Sequence, residues 1–188
     1  MVFGNIIYLY PLEKSVAKVI DLSKYTKELS NLFSSSENIL LICHINPDGD
    51  AIGSQLALYH FLISKGRNVF MMVPNYLQEF LRWMDGADLI KIFIKDREKC
   101  KKMIEEADLI ILLDFNQSSR LGESEDMVVS SGARKVIIDH HLDPGNFTDL
   151  VISDISNPAS LIMERIGPVF PVLNAFGLII EKVKSLYI

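Results

Sequence analysis

Four short apolar runs constrain the fold of this chain more than any other feature. They read ILLIC at residues 39–43, NVFMMVP at 68–74, DLIILLDF at 108–115 and RKVIIDHH at 134–141. Strands with one face in water alternate apolar and polar residues, and these runs do not. Continuous apolar runs of this length are typical of strands covered on both faces, as in a parallel sheet.

Segments with helical spacing of apolar residues separate these runs. Residues 12–34 have this spacing, as do the shorter segments AIGSQLALYHFLISKG, YLQEFLRWM, REKCKKMIEEA and SEDMVVSSG. A fifth strand is predicted at DLVISD, residues 149–154. Strands and helices alternate without hairpin signals between the strands. The sequence therefore predicts an α/β fold: a doubly wound, mostly parallel sheet of about five strands with helices on both faces.

Composition limits the classes of partner. The chain has 188 residues, of which 49% are hydrophobic, and this is enough for one domain with a proper core. A formal net charge of −5 gives no electrostatic reason to bind long nucleic acids. A small phosphate ester held through metal ions remains compatible, since the ions bring positive charge of their own.

Cysteine usage and the first residues bear on the cellular location. Cys43 and Cys100 have no paired spacing, and Cys43 lies inside an apolar run, which favours a reducing compartment over a disulfide scaffold. The apolar start MVFGNIIYLYPLEK is too short to span a membrane and has no basic leader. We therefore expect a cytoplasmic protein that does not associate with membranes.

Acidic residues and histidines follow three of the predicted strands. In a parallel sheet the carboxyl ends of the strands meet at one edge, where ligands bind. The residues expected at this edge are four aspartates and three histidines, namely His44, Asp48, Asp50, Asp114, Asp139, His140 and His141. No lysine or arginine lies within these motifs, and unpaired carboxylates packed together would repel one another.

Divalent cations would remove that repulsion. Imidazole and carboxylate ligands favour Mn²⁺, Mg²⁺, Zn²⁺ or Fe²⁺, and Mn²⁺ suits a mixed set of nitrogen and oxygen ligands. Two such ions about 3.5–4 Å apart can share a hydroxide and hold both the attacking and the leaving oxygen of a phosphate. The segment HINPDGD would then be half of a dinuclear site.

Each motif also has an ordinary structural explanation. NPDGD is a good turn, and a strand-terminal aspartate such as Asp114 often caps the next helix. His60 lies on the apolar side of its helix and is expected to be structural. The basic run KDREKCKK is expected to be a solvated helix face with pairs such as Glu98 with Lys102. The occurrence of three metal-ligand motifs at strand ends of one α/β pattern favours the metal site.

The motifs CHINPDGDAIGS, LLDFN and VIIDHH resemble, in this order, those of the DHH phosphoesterase superfamily. The likeness covers roughly residues 38–155 and is greatest to the branch of nanoRNases and pAp-phosphatases, which also includes exopolyphosphatase-related proteins. It implies a phosphoesterase with two divalent ions, Mn²⁺ or else Mg²⁺. Its substrates would be short oligoribonucleotides or 3′-phosphoadenosine 5′-phosphate (pAp). Family members are often homodimers.

The resemblance also implies residue roles. His44 and Asp48 would hold one metal, Asp50 and His140 the second, and Asp114 would bridge the two. His141 would face the scissile phosphate as a catalytic and substrate-binding group. Asp139 would orient His140 from behind. Two further residues after Asp114, namely Asn116 and Arg120, would contact the substrate.

The last part of the sequence departs from the family pattern. The family has a further metal-binding aspartate downstream and a second, substrate-binding domain, but no aspartate follows Asp154 here and no histidine follows His141. We predict a helical segment over 1–35, a DHH domain over 36–156 and an atypical, helical tail over 157–188. A truncated or frameshifted two-domain enzyme is the expectation. The alternatives are a catalytically weak metal- or nucleotide-binding remnant, and a pyrophosphatase or exopolyphosphatase with the same chemistry.

Overall fold

The computed structural model describes residues 23–153, so the expectations for residues 1–22 and for the tail lie outside the described residues. Four helices and six strands form this part, and three short 3₁₀ segments lie between them. The helices are α1 (Ser23–Ser35), α2 (Gly49–Ser64), α3 (Arg97–Glu106) and α4 (Glu125–Ser130). The strands are β1 (Asn38–Cys43), β2 (Asn68–Val73), β3 (Lys91–Ile92), β4 (Leu109–Leu113), β5 (Arg134–Asp139) and β6 (Leu150–Ser153).

All strands pair in parallel in the order β3-β2-β1-β4-β5-β6. From β1 the chain adds β2 and β3 on one side of the sheet. It then crosses to the other side of β1 and adds β4, β5 and β6 there. The topological switch therefore lies between β1 and β4, and ligands of open α/β sheets bind at such a point. The predicted fold class is confirmed, with the two-residue β3 as a strand that the sequence did not reveal.

The sheet is buried on both faces, as its apolar runs predicted. Successive side chains of β1 belong to two separate core clusters, because strand side chains alternate between faces. Ile39, Leu41 and Cys43 pack with α1 and α2, whereas Leu40 and Ile42 pack on the side of α3. Cys43 is fully buried, and burial, with the charge of Asp114 next, raises the pKa of its thiol well above the ordinary value. Its predicted role as a small core residue is confirmed.

Two local predictions were wrong. YLQEFLRWM contains only a single 3₁₀ segment, Glu79–Leu81, although Leu77, Leu81 and Met84 are buried with helix-like spacing. Its backbone instead forms i→i+3 bonds, from the N–H groups of Leu81 and Met84 among others, which bury these side chains without a regular α-helix. On α3, Glu98 pairs with Lys101 at 3.2 Å, and Lys102 pairs with Glu106 at 3.6 Å, so the pair Glu98–Lys102 is not formed.

No helix among residues 23–153 is long and apolar enough to cross a membrane.

Candidate functional site

His44 follows β1 directly and is buried. The residue is 6% exposed, with Nδ1 2.7 Å from the carbonyl oxygen of Ile45 and Nε2 3.7 Å from Oδ2 of Asp114. Burial lowers the pKa of His44, but the nearby Asp114 carboxylate and the hydrogen bond to the Ile45 carbonyl outweigh it, so the pKa lies above its ordinary value. If Nδ1 donates to the Ile45 carbonyl, the lone pair of Nε2 faces Asp114, which is the usual arrangement of a metal-binding histidine.

Asp48 is the N-cap of α2. Its Oδ1 accepts from the backbone N–H groups of Asp50 and Ala51, both at 3.0 Å. Those two bonds satisfy donors that the first helical turn leaves open. Because Oδ1 is used in this way, Oδ2 is the atom of this carboxylate that is suited to a cation.

Substitutions at Asp48 can therefore distinguish its role as a helix cap from its predicted role as a metal ligand. We expect Asp48→Asn to keep the cap but to weaken Mn²⁺ binding, since the amide retains an acceptor oxygen and lacks the charge. Asp48→Ala should weaken Mn²⁺ binding equally and also lower the free energy of unfolding by about 1 kcal/mol. Isothermal titration with Mn²⁺ and urea unfolding of the metal-free protein measure the two effects. Equal stability of the two variants would contradict the capping role.

Asp114 lies between the two histidine-bearing loops. It follows β4 at the centre of the sheet, is 2% exposed and has a left-handed backbone with φ of 64°. Its Oδ2 faces His44, and its Oδ1 lies 3.1 Å from Nε2 of His140. That contact lacks hydrogen-bond alignment, so the buried Oδ1 has no hydrogen-bond partner. A buried carboxylate oxygen without a partner is costly unless a cation or proton satisfies it, and the surrounding donor set suits a cation.

Asp139 is fully buried at the end of β5 and holds His141. Its Oδ1 accepts from Nδ1 of His141 at 2.7 Å, and its Oδ2 accepts from the His141 backbone N–H at 2.9 Å. The predicted pairing of Asp139 with His140 is therefore wrong. The backbone bond turns the carboxylate toward the second histidine of the motif, while His140 points toward Asp114. The two imidazole rings lie 4.5 Å apart.

These residues form two potential ligand groups that share Asp114. One group comprises His44, Asp48 and Asp114, and the other comprises Asp114, His140 and His141, each with ligand atoms within 4.8 Å of one another. Asp50 belongs to neither group among the described residues. The nitrogen and oxygen donors, together with the buried oxygen of Asp114, fit divalent cations of the Mn²⁺ and Mg²⁺ type.

Arg120 lies beside His44, next to the first ligand group. Its carbonyl accepts from the Ile45 N–H at 2.9 Å, and its Nη2 lies 3.2 Å from Nδ1 of His44. Gly122 sits two residues further on with φ 55° and ψ −135°, a conformation open essentially to glycine alone. A Cβ at this position would lie 3.0 Å from Cγ2 of Ile45. Sequence reasoning missed Gly122, whose only signal was a glycine in a polar loop.

This close contact predicts a stability effect. Gly122→Ala should lower the free energy of unfolding by about 1–3 kcal/mol, because both the backbone and the contact with Ile45 are strained. Gly132→Ala is the matched control, since an added Cβ there meets nothing within 4 Å and its φ is not positive. Chemical denaturation of both variants measures the difference. Equal stabilities would show that the turn relaxes without cost.

Asn116 anchors the loop that carries the histidine pair. Its Nδ2 donates to the Leu142 carbonyl at 2.8 Å, and its own carbonyl accepts from the Gly145 N–H at 2.7 Å. Gln117 Nε2 adds a bond to the Asp143 carbonyl at 2.6 Å. The amide nitrogen of Asn116 is thus engaged within the protein, and substrate contact by this residue stays a prediction.

His60 is away from the site, with Nε2 3.0 Å from the Asp85 carbonyl.

Left-handed backbone conformations mark the loops of the site. Among residues 23–153, three non-glycine residues have positive φ, namely Asn46, Asp114 and Asp143. They lie in the loops after β1, β4 and β5, the three strands that carry the ligand groups. Asparagine and aspartate tolerate this conformation better than other side chains. Such residues are often found where strain is retained for function.

Fold and site together define a class: α/β proteins with a carboxylate- and histidine-rich centre at the switch point of a parallel sheet. The chain belongs to the DHH family, because the profile of the "DHH family, N-terminal domain" matches residues 38–179. The resemblance found in the motifs is thereby confirmed.

Two sequence relatives and a solved structure support the nanoRNase and pAp-phosphatase branch of this family. The chain is 28% identical over 151 residues to the probable bifunctional oligoribonuclease and PAP phosphatase NrnA of Streptococcus mutans, covering 80% of the chain and 44% of the relative. It is 30% identical over 142 residues to the Bacillus subtilis enzyme of that name, covering 74% and 40%. An exopolyphosphatase-related protein of Bacteroides fragilis has 38% identity and a TM-score of 0.79, covering 85% and 47%. The chain spans less than half the length of these relatives.

Proposed function

We propose that this chain is a metal-dependent phosphoesterase that hydrolyses short oligoribonucleotides, pAp or both. The observation that carries the proposal is the buried Asp114 carboxylate between His44 and His140, with one oxygen facing each ring. Two ligand groups that share one carboxylate are suited to a pair of divalent cations. The names of the two NrnA relatives support the choice of substrate class.

The proposed metal ligands are His44, Asp48, Asp50, Asp114 and His140. Mn²⁺ is the proposed ion, with Mg²⁺ as the alternative. When bound, such ions supply Lewis acidity toward a phosphate and favour ionisation of water near neutral pH. The residues of the chain fix where this chemistry takes place. Asp114 and His44 are buried and define the floor of the site, while the more exposed Asp48 and His140 border its opening.

His141 is proposed to act on the substrate. When its Nδ1–H donates to Asp139, the proton is held on that nitrogen and Nε2 keeps its lone pair. When the ring also carries a proton on Nε2, it can stabilise charge on the phosphate oxygens or pass that proton to the leaving oxygen. Arg120 is proposed to contact another phosphate oxygen from its position beside His44. A homodimer and a cytoplasmic location remain predictions.

Hydrolysis of the dinucleotide pApA is the experiment that tests this proposal. With Mn²⁺ we expect release of AMP, and EDTA should abolish it while added Mn²⁺ restores it. A folded protein that binds Mn²⁺ yet releases no AMP would contradict the activity of this chain and favour a metal-binding remnant.

One observation favours a second candidate substrate. The relative from Bacteroides fragilis is described as exopolyphosphatase-related and is the most identical of the three relatives. The same ligand geometry suits a phosphoanhydride as well as a phosphodiester. Rates on pyrophosphate and on short polyphosphate, measured beside pApA, separate the candidates, and we expect pApA to be hydrolysed faster.

A further inference from the structure

Residues 74–85, the aromatic segment hereafter, follow β2, include the 3₁₀ segment Glu79–Leu81 and have two different sides. Leu77, Leu81 and Met84 are buried in the core cluster that contains α2. The intervening aromatic residues point outward: Tyr76 and Phe80 are each 56% exposed, and Trp83 is 46% exposed. Three large rings exposed within eight residues are unusual, because single exposed apolar residues are ordinary but clusters mark binding surfaces.

A single side chain fixes this segment to the histidine loop. Oδ1 of Asn75 accepts from the backbone N–H of Asn46 and from that of Tyr76, each at 2.8 Å. The two backbone nitrogens are thus no further apart than twice 2.8 Å. Nδ2 of Asn75 also donates to Oδ1 of Asn46 at 2.8 Å. Because Asn46 lies two residues after His44, the backbone of Tyr76 is held close to the ligand groups.

The turn that contains Arg120 and Gly122 lies beside both the segment and the loop after β1. A Cβ at Gly122 would lie 3.9 Å from Cβ of Pro74 and 3.0 Å from Ile45, so the turn that carries Arg120 packs against both loops. The charges beside Phe80 offset one another, since Arg82 pairs with Glu79 at 2.9 Å. The negative charge of Glu79 is therefore balanced by Arg82, and this pair would not repel a phosphate-bearing ligand bound along the segment.

We propose that Tyr76 and Phe80 form a stacking surface for the nucleobases of a short oligonucleotide whose phosphate lies at the site of Asp114. This inference rests on the proposed function and names what recognises the nucleoside part of the substrate. Rings exposed next to a phosphate-binding edge suit single-stranded nucleic acid, because every base has a face that can stack. Stacking is also indifferent to base identity, as an enzyme for mixed short oligonucleotides requires.

The chain contains its own reporter for the test. Trp83 is the single tryptophan of the sequence and lies in the aromatic segment. Its fluorescence is recorded while the protein is titrated with a non-hydrolysable methylene analogue of pApA and with an abasic dinucleotide of equal charge. Mg²⁺ is used because paramagnetic Mn²⁺ quenches fluorescence. Isothermal titration gives the affinities independently.

The expected result is a tryptophan signal and about tenfold tighter binding for the ligand that carries bases. Tyr76→Ala and Phe80→Ala should reduce this preference, whereas Tyr76→Phe should keep it because the ring remains. Val129→Ala is the control, since Val129 is also exposed but lies on α4. Thermal unfolding of each variant shows whether the fold is retained.

Equal affinities of the wild type for the two ligands would overturn the stacking surface, as would a base preference that survives the double variant Tyr76→Ala, Phe80→Ala. A loss of self-association in the variants without any base preference would instead identify a protein contact surface and also overturn the proposal. These outcomes leave the proposed function intact, since the abasic ligand still binds through its phosphates. If neither ligand binds in Mg²⁺ or Mn²⁺, the proposed function fails together with the stacking surface.

Discussion

Asp114→Asn is expected to lower metal-dependent hydrolysis of pApA by at least about a thousandfold, comparable to the loss of a principal charge-stabilising group. Asparagine fits the left-handed backbone at this position and has nearly the same volume, so the fold should persist. The charge that both ligand groups share is lost. Whichever way the amide is turned, its NH₂ group would face either His44 or His140, where a cation ligand is required.

The measurement combines steady-state release of AMP with isothermal titration of Mn²⁺. Asp108→Asn is the matched control, because Asp108 immediately precedes β4, at the opposite end of the strand from Asp114. Its Oδ2 accepts from the backbone N–H groups of Glu37 and Asn38 at 3.0 and 2.8 Å. This control should leave turnover unchanged. Wild-type Mn²⁺ affinity in Asp114→Asn would contradict the bridging role.

Asp139→Asn should lower turnover by about a hundredfold to ten-thousandfold while Mn²⁺ affinity stays near that of the wild type. The carboxylate of Asp139 accepts two bonds from His141, one from the ring and one from the backbone. An amide offers one acceptor oxygen only, so one of those two donors would face an NH₂ group. If it is the ring, Nδ1 of His141 would accept from the amide, and the neutral ring would carry its proton on Nε2 in the reversed tautomer, without the carboxylate that orients it.

Two readouts separate this positioning role from a structural one. Because Asp139 is fully buried, the variant will also lose stability, and assays must be run below its own unfolding midpoint. His141→Ala in the same assay should show the same turnover defect, and Asp139→Asn should add little to it. If Mn²⁺ affinity falls by an order of magnitude in both variants, His141 is a metal ligand, and the assignment of His140 and His141 must be revised.

The parts of this structure that the sequence predicted are those controlled by local pattern. β1, β4 and β5 are central strands, so burial on both faces forces continuous apolar runs that are easily recognised. The site residues were predicted together because parallel strands end at one edge. By contrast, β3 has two residues, and its pairing with Met72 and Val73 leaves no trace in a sequence pattern.

The parts that could not be predicted depend on contacts between distant segments. The sequence suggested Asp114 as a possible helix cap, but the path of the chain into α2 gives the capping role to Asp48. Likewise, the partner of Asp139 depends on the turn after β5, which brings the His141 backbone N–H back to the carboxylate. The bonds from Asn75 to Asn46 join residues 29 positions apart and had no local signal.

The order of the strands has a consequence for how the ligand groups are spaced. β1, β4 and β5 are immediate neighbours, so their loops leave the sheet at intervals set by the distance between hydrogen-bonded strands, about 4.8 Å. The middle strand carries Asp114, and each outer strand carries a histidine toward it. The distance between neighbouring strands therefore sets the spacing of the loops that carry the two ligand groups. Loop sequences can change the identity of the ligands, but altering this spacing would require inserting or removing a strand.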